Sequence, residues 1–282
     1  MLRTRIITAM VLIPAVLAAL FLLPSKAWGF VALAIILVAA YEWARLVALP
    51  RWLDNLFMFV VLIVGAQLML SPAAEFDRGW PSGIVYVICG IASLFWIFIA
   101  PPWVIARWPT QAKIPMMVVG VVVLLGAWMA LVQLQAHSPW LVLAAMAIVW
   151  IADTAAYFTG RKLGRHKLAP VVSPGKSWEG VYGAWVAVAI YAWVLSRFAA
   201  DAGFRFDVTP LAIAMWMLFA VALAFVSVVG DLFESLLKRH AGVKDSGALL
   251  PGHGGVLDRT DALLAAMPIV AVAAQLMLDR NQ

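Results

Sequence analysis

The sequence contains little charge and a single cysteine. Only 12% of its 282 residues are charged, whereas about a quarter of an average soluble domain is. Because Cys89 is the only cysteine, no intrachain disulfide can form. The histidines are scattered, and the sequence has no Ser-His-Asp set, no His/Cys zinc spacing and no haem motif. The sequence therefore gives no indication of a serine hydrolase, a zinc enzyme or a disulfide-stabilised domain.

Hydrophobic residues make up 65% of the chain, which indicates an integral membrane protein. Nine apolar segments are each close to the ~20 residues that a helix needs to cross a bilayer. Their predicted bounds are 6–23, 28–47, 53–71, 83–100, 114–135, 140–160, 179–198, 211–237 and 263–278. Backbone groups in lipid must be satisfied within the segment, and strand-like alternation is absent. We therefore predict an all-α polytopic membrane protein with about nine transmembrane helices.

The net charge of +6 is explained by membrane orientation. In a soluble protein such an excess would suggest nucleic acid, but we predict no nucleic-acid partner here, because the positive-inside rule and anionic lipid headgroups account for it. With the N-terminus in the cytoplasm, 15 of the 20 lysines and arginines lie at the inner face. This orientation also places both long connections, 161–178 and 238–262, on the cytoplasmic side.

Acidic residues of the later segments fall at the same depth as these connections. They are Asp153, Glu179, Asp231, Glu234, Asp258 and Asp261. Carboxylates in a membrane helix usually face a cavity, a partner or an ion. We therefore predict a polar cavity that opens to the cytosol, with Asp153 and Glu234 in supporting roles. The alternative for Asp153 is that it pairs with a basic residue of the following loop. On this basis residues 136–282 form the catalytic part, and residues 1–135 anchor the protein in the membrane.

The connection 238–262 and the helix before it carry the main candidate site. Asp231, Glu234, Ser235 and Lys238 are three or four residues apart and share one helix face. Asp231 and Asp258 are the best metal candidates, and Asp261 lies one turn further on. Helix capping is the alternative for the two acids of the Asp-Arg-Thr-Asp sequence.

Basic residues and glycines of the same connection are candidates for binding phosphate. Lys238, Arg239, Lys244 and Arg259 could clamp phosphates, or could serve only as positive-inside anchors. His253 could donate a hydrogen bond to phosphate, act as a base or be an incidental residue. Gly254 and Gly255 allow a ligand to approach the backbone closely.

The other connection contains the sequence Ser-Pro-Gly-Lys-Ser-Trp-Glu-Gly. Ser173, Lys176 and Ser177 stand just before a helix N-terminus, where free N–H groups favour phosphate. The spacing is not that of a Walker loop. An ordinary capping arrangement of a hydroxyl followed by Glu179 is the alternative.

Residues 235–261 resemble the signature of phosphatidate cytidylyltransferases, also called CDP-diacylglycerol synthases. The signature reads S-x-x-K-R, four residues, K-D, and then H-G-G-x-x-D-R-x-D. Its fixed positions are occupied here by Ser235, Lys238, Arg239, Lys244, Asp245, His253, Gly254, Gly255, Asp258, Arg259 and Asp261. The SPGKSWEG sequence and the N-terminal MLRTRIITA and YEWARL sequences are also similar to bacterial members of the family.

The resemblance implies transfer of CMP from CTP to phosphatidate, which gives CDP-diacylglycerol and pyrophosphate in the first committed step of phospholipid synthesis by this route. It further implies dependence on Mg²⁺ with a monovalent ion such as K⁺ assisting, a cytosol-facing funnel, homodimers and a bacterial inner membrane. Asp231 and Asp258 fall where the metal ligands of the family are expected. Lys238 and Arg259 would act with them in catalysis, and the other fixed positions and the SPGKSWEG loop would bind substrate.

Two other functions are compatible with buried acids in a membrane. A cation- or proton-coupled secondary transporter would use them as ion sites, but transporters favour sites at the membrane midplane with broken helices in both halves. Here the polar residues lie on one side and in the C-terminal half. A lipid-linked sugar or alcohol phosphotransferase would share a metal-bound carboxylate site and differ in its substrates.

Overall fold

The structure, a computed structural model, describes residues 2–71, 79–198, 209–249 and 252–280. Its helices are α1 (Leu2–Leu22), α2 (Ser25–Val47), α3 (Arg51–Leu70), α4 (Ser82–Leu94), α5 (Ala100–Ala106), α6 (Lys113–His137), α7 (Pro139–Leu163), α8 (Trp178–Phe198), α9 (Pro210–His240) and α10 (Leu257–Arg280). A π-helical turn, Phe95–Ile99, joins α4 to α5. Within the described residues, eight helical stretches are long and apolar enough to span a membrane, and Met10–Leu22 is a shorter one. The predicted all-α polytopic membrane fold is confirmed.

Proline and hydroxyl residues set where many of the helices begin. Pro24, Pro50 and Pro81 directly precede α2, α3 and α4 in extended or near-extended backbone conformations. Such residues favour a helix start because proline lacks the N–H that the first turn leaves unpaired. Ser138 caps α7 by accepting a hydrogen bond from the backbone N–H of Trp140, at 3.3 Å.

The second long connection, predicted as 238–262, is shorter than expected because a helix extends into it at each end. Helix α9 continues to His240, so Lys238 and Arg239 are helical and do not belong to the loop. Helix α10 begins at Leu257, so Asp258 and Asp261 lie in its first turns and do not precede the span. The electrostatics of helix ends explain both differences, because basic residues stabilise a helix C-terminus and acidic residues an N-terminus.

The first connection also contains strands that the sequence analysis did not predict. Lys167–Ala169 (β1) and Ser173–Ser177 (β2) pair antiparallel, with Lys167 opposite Ser177 and Ala169 opposite Ser173. This small hairpin carries the predicted phosphate-binding residues of that loop.

Helix α6 lies at the centre of the bundle and packs against α2, α4 and α10. Small residues allow this close packing. A Cβ at Gly120 would lie 2.7 Å from Nε1 of Trp43, which reaches the backbone oxygen of Met116 at 3.1 Å. Helix α9 packs between α8 and α10, so the polar end of α9 faces the start of α10.

Candidate active site

The last third of α9 has one aromatic face and one polar face. Phe233 is buried among four aromatic rings from α2, the π-helical turn and α5, with ring centroids 5.5 to 6.1 Å away. The rings belong to Trp43, Phe95, Trp96 and Trp103. Aromatic packing fixes the rotation of the helix about its axis, and the helical repeat then places the polar residues together on another face.

Lys238 is the centre of a buried ion-pair cluster on that polar face. Its Nζ lies 2.5 Å from Oε2 of Glu234 and 2.6 Å from Oδ1 of Asp258. The side chains of Lys238, Glu234 and Asp258 are 11%, 4% and 6% exposed, so solvent screens these charges little. The cluster brings together residues that the sequence predicted as catalytic and supporting.

Asp258 is also held by the second connection. Its Oδ2 accepts hydrogen bonds from the backbone N–H of Ser246 and of Gly255, each at 2.8 Å, and from the Ser246 hydroxyl at 3.0 Å. Both carboxylate oxygens of Asp258 therefore have donors. A metal ion bound directly to Oδ2, which already has three donors, would have to displace one of them.

The two polar connections meet on α9. Nζ of Lys176, on β2, lies 2.6 Å from Oδ2 of Asp231. Nε of Arg239, in the last turn of α9, donates a hydrogen bond to the backbone oxygen of Val172 at 3.2 Å. Ser235 donates to Oδ1 of Asp231 at 3.3 Å. The hairpin is thus bound to the polar end of α9, as expected if both connections contribute to one site.

Carboxylates outnumber ammonium groups around this junction. Asp261 interacts electrostatically with Asp231, Glu234 and Lys176, and Asp153 of α7 interacts with Lys176 and Asp231. Close packing brings Asp261 to this position, because a Cβ at Gly230 would lie 2.6 Å from its backbone oxygen. Lys176 and Lys238 therefore face five carboxylates, those of Asp153, Asp231, Glu234, Asp258 and Asp261.

This donor set fits a hard divalent cation that is completed by substrate. In the described part of the chain, no three Asp, Glu, His or Cys side chains are placed to hold a metal ion by themselves. Among the same residues, Oε1 of Glu234 is buried without a hydrogen-bond partner. Mg²⁺ at a phosphate site typically uses one or two carboxylates together with waters and phosphate oxygens. Asp231, which is paired with Lys176, and Asp261, which interacts with the same lysine, would supply those carboxylates.

The hydroxyl and acid at the start of α8 have structural contacts. Oγ of Ser177 accepts a hydrogen bond from the N–H of Gly180 at 3.3 Å, which caps the helix. Glu179 accepts from the backbone N–H of His166 at 3.2 Å and lies 2.6 Å from its Nδ1. Glu179 therefore fastens the base of the hairpin, while Ser173 and Lys176 lie along β2.

The remaining signature residues line the second connection. Arg259 is exposed, and its Nε donates to the backbone oxygen of His253 at 2.8 Å. Lys244 and Asp245 are exposed as well. Gly254 has a φ of +82°, which favours glycine, and a Cβ at Gly255 would collide with Oγ of Ser246. The two glycines are thus required by the conformation and packing of the loop itself, in addition to the predicted ligand approach.

Glu42 of α2 belongs to this region and was missed by the sequence analysis. It is 3% exposed, and its carboxylate accepts hydrogen bonds from Ser246, Val256 and Leu257. The signal that could have identified it is simple. Glu42 is the only acidic residue in the predicted span 28–47, and a buried acid in a membrane helix requires partners.

Comparison with known proteins gives matches over almost the whole chain. The sequence model of the Cytidylyltransferase family matches residues 3–277. A phosphatidate cytidylyltransferase of Pseudomonas aeruginosa is 37% identical over 278 residues, which cover 96% of each chain. Those of Haemophilus influenzae and Thermotoga maritima are 36% and 34% identical, over 95% and 98% of this chain and 96% and 97% of their own.

Proposed function

The chain belongs to the cytidylyltransferase family, and from that premise we propose that it transfers CMP from CTP to phosphatidate, releasing pyrophosphate and forming CDP-diacylglycerol. The observation that carries the proposal is the junction on α9. There Lys238 and Asp258, two signature residues that are 20 positions apart, lie at 2.6 Å, and Lys176 of the other connection lies 2.6 Å from Asp231 of the same helix. The three relatives compared above are all named phosphatidate cytidylyltransferase and cover 95% or more of this chain, which supports the same substrates.

The chemistry agrees with the residues that are present. A phosphate oxygen of phosphatidate attacks the α-phosphorus of CTP, and the bond to pyrophosphate breaks. Such a transfer depends mainly on positioning and on neutralising charge. The nucleophile is already an anion, so no strong general base is required, and we do not assign that role to His253. Lys176 and Lys238 supply half-buried and buried positive charge. Arg239 at the end of α9, Lys244 in the loop and Arg259 at the start of α10 supply exposed positive charge.

Mg²⁺ is the proposed metal, with K⁺ as an assisting ion. When bound, it would neutralise phosphate charge and polarise the phosphorus centre. Among the three predicted ligands, Asp231 and Asp261 are the better candidates for direct contact, because Asp258 accepts from four donor groups. Asp231 accepts from Ser235 and Lys176, and Asp261 accepts from the N–H of Ala262. Asp258 then serves chiefly to hold Lys238 and the loop in place.

We propose that the site faces the cytoplasm in a bacterial inner membrane. The distribution of lysine and arginine supports this orientation, and CTP would reach the site from water while the lipid enters from the membrane. The family resemblance supports a homodimer, which chemical cross-linking in native membranes tests.

Orientation can be tested with single cysteines in a Cys89→Ala background, because Cys89 is fully buried. Lys26 and Lys167 are both exposed, and the proposal places them on opposite sides of the membrane. In intact cells, a reagent that does not cross membranes should label a cysteine at Lys26 and leave one at Lys167 unlabelled. The opposite result would reverse the orientation.

The activity is tested with purified full-length protein, labelled CTP, phosphatidate and Mg²⁺. We expect a labelled lipid and one pyrophosphate per lipid formed. Diacylglycerol, which lacks the nucleophilic phosphate, should give no product, and other nucleotides test whether CTP is preferred. A folded protein that forms no labelled lipid but carries ions across liposome membranes would support a transporter instead.

A further inference from the structure

Helix α2 carries a buried carboxylate at the junction of the second connection with α10. Oε1 of Glu42 accepts a hydrogen bond from the N–H of Val256 at 3.0 Å, and Oε2 accepts from the N–H of Leu257 at 2.7 Å. These N–H groups belong to the start of α10, where a helix leaves its first donors unpaired. A residue from the first quarter of the chain thus caps the helix that bears Asp258.

A serine connects this cap to the ion-pair cluster. The Ser246 hydroxyl lies 2.9 Å from Oε2 of Glu42 and 3.0 Å from Oδ2 of Asp258. A hydroxyl has a single proton to donate, so the two carboxylates share one donor. Because Asp258 in turn binds Lys238 at 2.6 Å, an unbroken chain of contacts leads from α2 to the centre of the site.

The packing around Glu42 leaves no space for rearrangement. A Cβ at Gly247 or at Gly255 would collide with the Glu42 carboxylate. The loop backbone therefore lies directly against the Glu42 side chain at two places. One is Gly247, which follows Ser246, and the other is Gly255, which lies just before α10. Dense packing of this kind transmits a change in one group to its neighbours.

We propose that Glu42 is a positioning residue of the transfer site: through Ser246 and the start of α10 it holds Asp258, and with it Lys238, in the arrangement that receives the substrate phosphates. The inference rests on the proposed function and deepens it. It also gives α2 a role in the reaction in addition to membrane anchoring.

Proteolysis tests the structural half of the inference without any measurement of activity. Lys244 is exposed in the loop, two residues before Ser246, and is a site for trypsin. In the folded, detergent-purified protein, Glu42→Gln should increase the rate of cleavage after Lys244, because an amide cannot accept from all three donors. Gln133→Leu is the matched control. Gln133 is also buried, but it bonds to the backbone of Trp80 and to Gln275, away from the loop. Equal cleavage rates in the Glu42→Gln and wild-type proteins would overturn the inference.

Kinetics test the functional half. We expect Glu42→Gln to lower kcat about tenfold or more, the usual effect of losing a charge-assisted hydrogen bond that aligns a site, while KM for CTP changes little. Gln133→Leu should lower thermal stability and leave kcat unchanged. A Glu42→Gln protein with wild-type kcat, or one whose kcat falls only in proportion to the loss of folded protein, would refute a positioning role.

Ser246→Ala provides a second variant in case Glu42→Gln folds poorly. It retains the backbone N–H that binds Asp258 and removes only the shared hydroxyl. If Glu42 acts through Ser246, the double variant should lose less activity than the product of the two single losses. Independent, multiplicative losses would contradict the proposed chain of contacts.

A wild-type protein without transferase activity would remove the proposed function, and the trypsin comparison would still decide whether Glu42 holds the loop.

Discussion

Replacing Lys238 with methionine tests the centre of the site. Methionine has a similar length and no charge, so Glu234 and Asp258 would lose the ammonium group that lies 2.5 and 2.6 Å from them. Removing one partner of a buried ion pair typically costs about 3–5 kcal/mol, because the other charge remains buried. Asp258 retains three other donors, whereas Oε1 of Glu234 has no hydrogen-bond partner in the described structure. The penalty therefore falls mainly on Glu234. Because Asp258 stays hydrogen-bonded, we expect a loss of stability at the lower end of this range, about 3 kcal/mol.

The measurement is unfolding of the purified protein in mixed micelles, together with transferase activity. Adding Glu234→Gln to Lys238→Met should restore most of the lost stability, because it removes the uncompensated charge. Activity should stay at least about a hundredfold below wild type in both variants, since the charge that would bind phosphate is absent. Lys244→Met is the control: this exposed loop lysine should change stability by less than about 0.5 kcal/mol. If Lys238→Met destabilises the protein no more than Lys244→Met, the buried cluster does not exist as described.

Three further predictions concern the metal, the contact between α9 and α10, and the loop glycines. Asp231→Asn should raise the Mg²⁺ concentration needed for half-maximal activity by about tenfold or more, as measured by Mg²⁺ titration, because the proposed carboxylate ligand is lost. Gly230→Ala should lower the free energy of unfolding by about 1–3 kcal/mol, because its Cβ would lie 2.6 Å from the backbone oxygen of Asp261 and force the two helices apart. Gly247→Ala should lower kcat by pressing on the Glu42 carboxylate, whereas Gly90→Ala, which has open space around its Cβ, should not.

Each of these predictions has an outcome that contradicts it. An unchanged Mg²⁺ requirement in Asp231→Asn would remove this residue from the metal site. A Gly230→Ala protein of wild-type stability would mean that α9 and α10 approach less closely than the structure shows. Equal activities of Gly247→Ala and Gly90→Ala would show that the loop tolerates displacement at Glu42.

The sequence alone determined the membrane fold and predicted most of the members of the candidate site. The lengths of the apolar segments identify the transmembrane helices, because the thickness of the bilayer sets a minimum length for each helix separately. The periodicity of α9 predicted that Asp231, Glu234 and Lys238 share a face, since that depends only on the helical repeat. These are local properties, and they can be recognised without knowing how the helices pack.

Tertiary structure alone decided which charges pair and what each acid does. The pairs of Lys238 with Asp258 and of Lys176 with Asp231 join segments that are 20 and 55 residues apart. The periodicity of the sequence does not reveal contacts between segments that are this far apart. Glu42 is the clearest case, because its partners Ser246, Val256 and Leu257 are more than 200 residues away. An acid in a membrane helix reveals that it needs donors, but only the packing of α2 against the loop reveals which donors satisfy it.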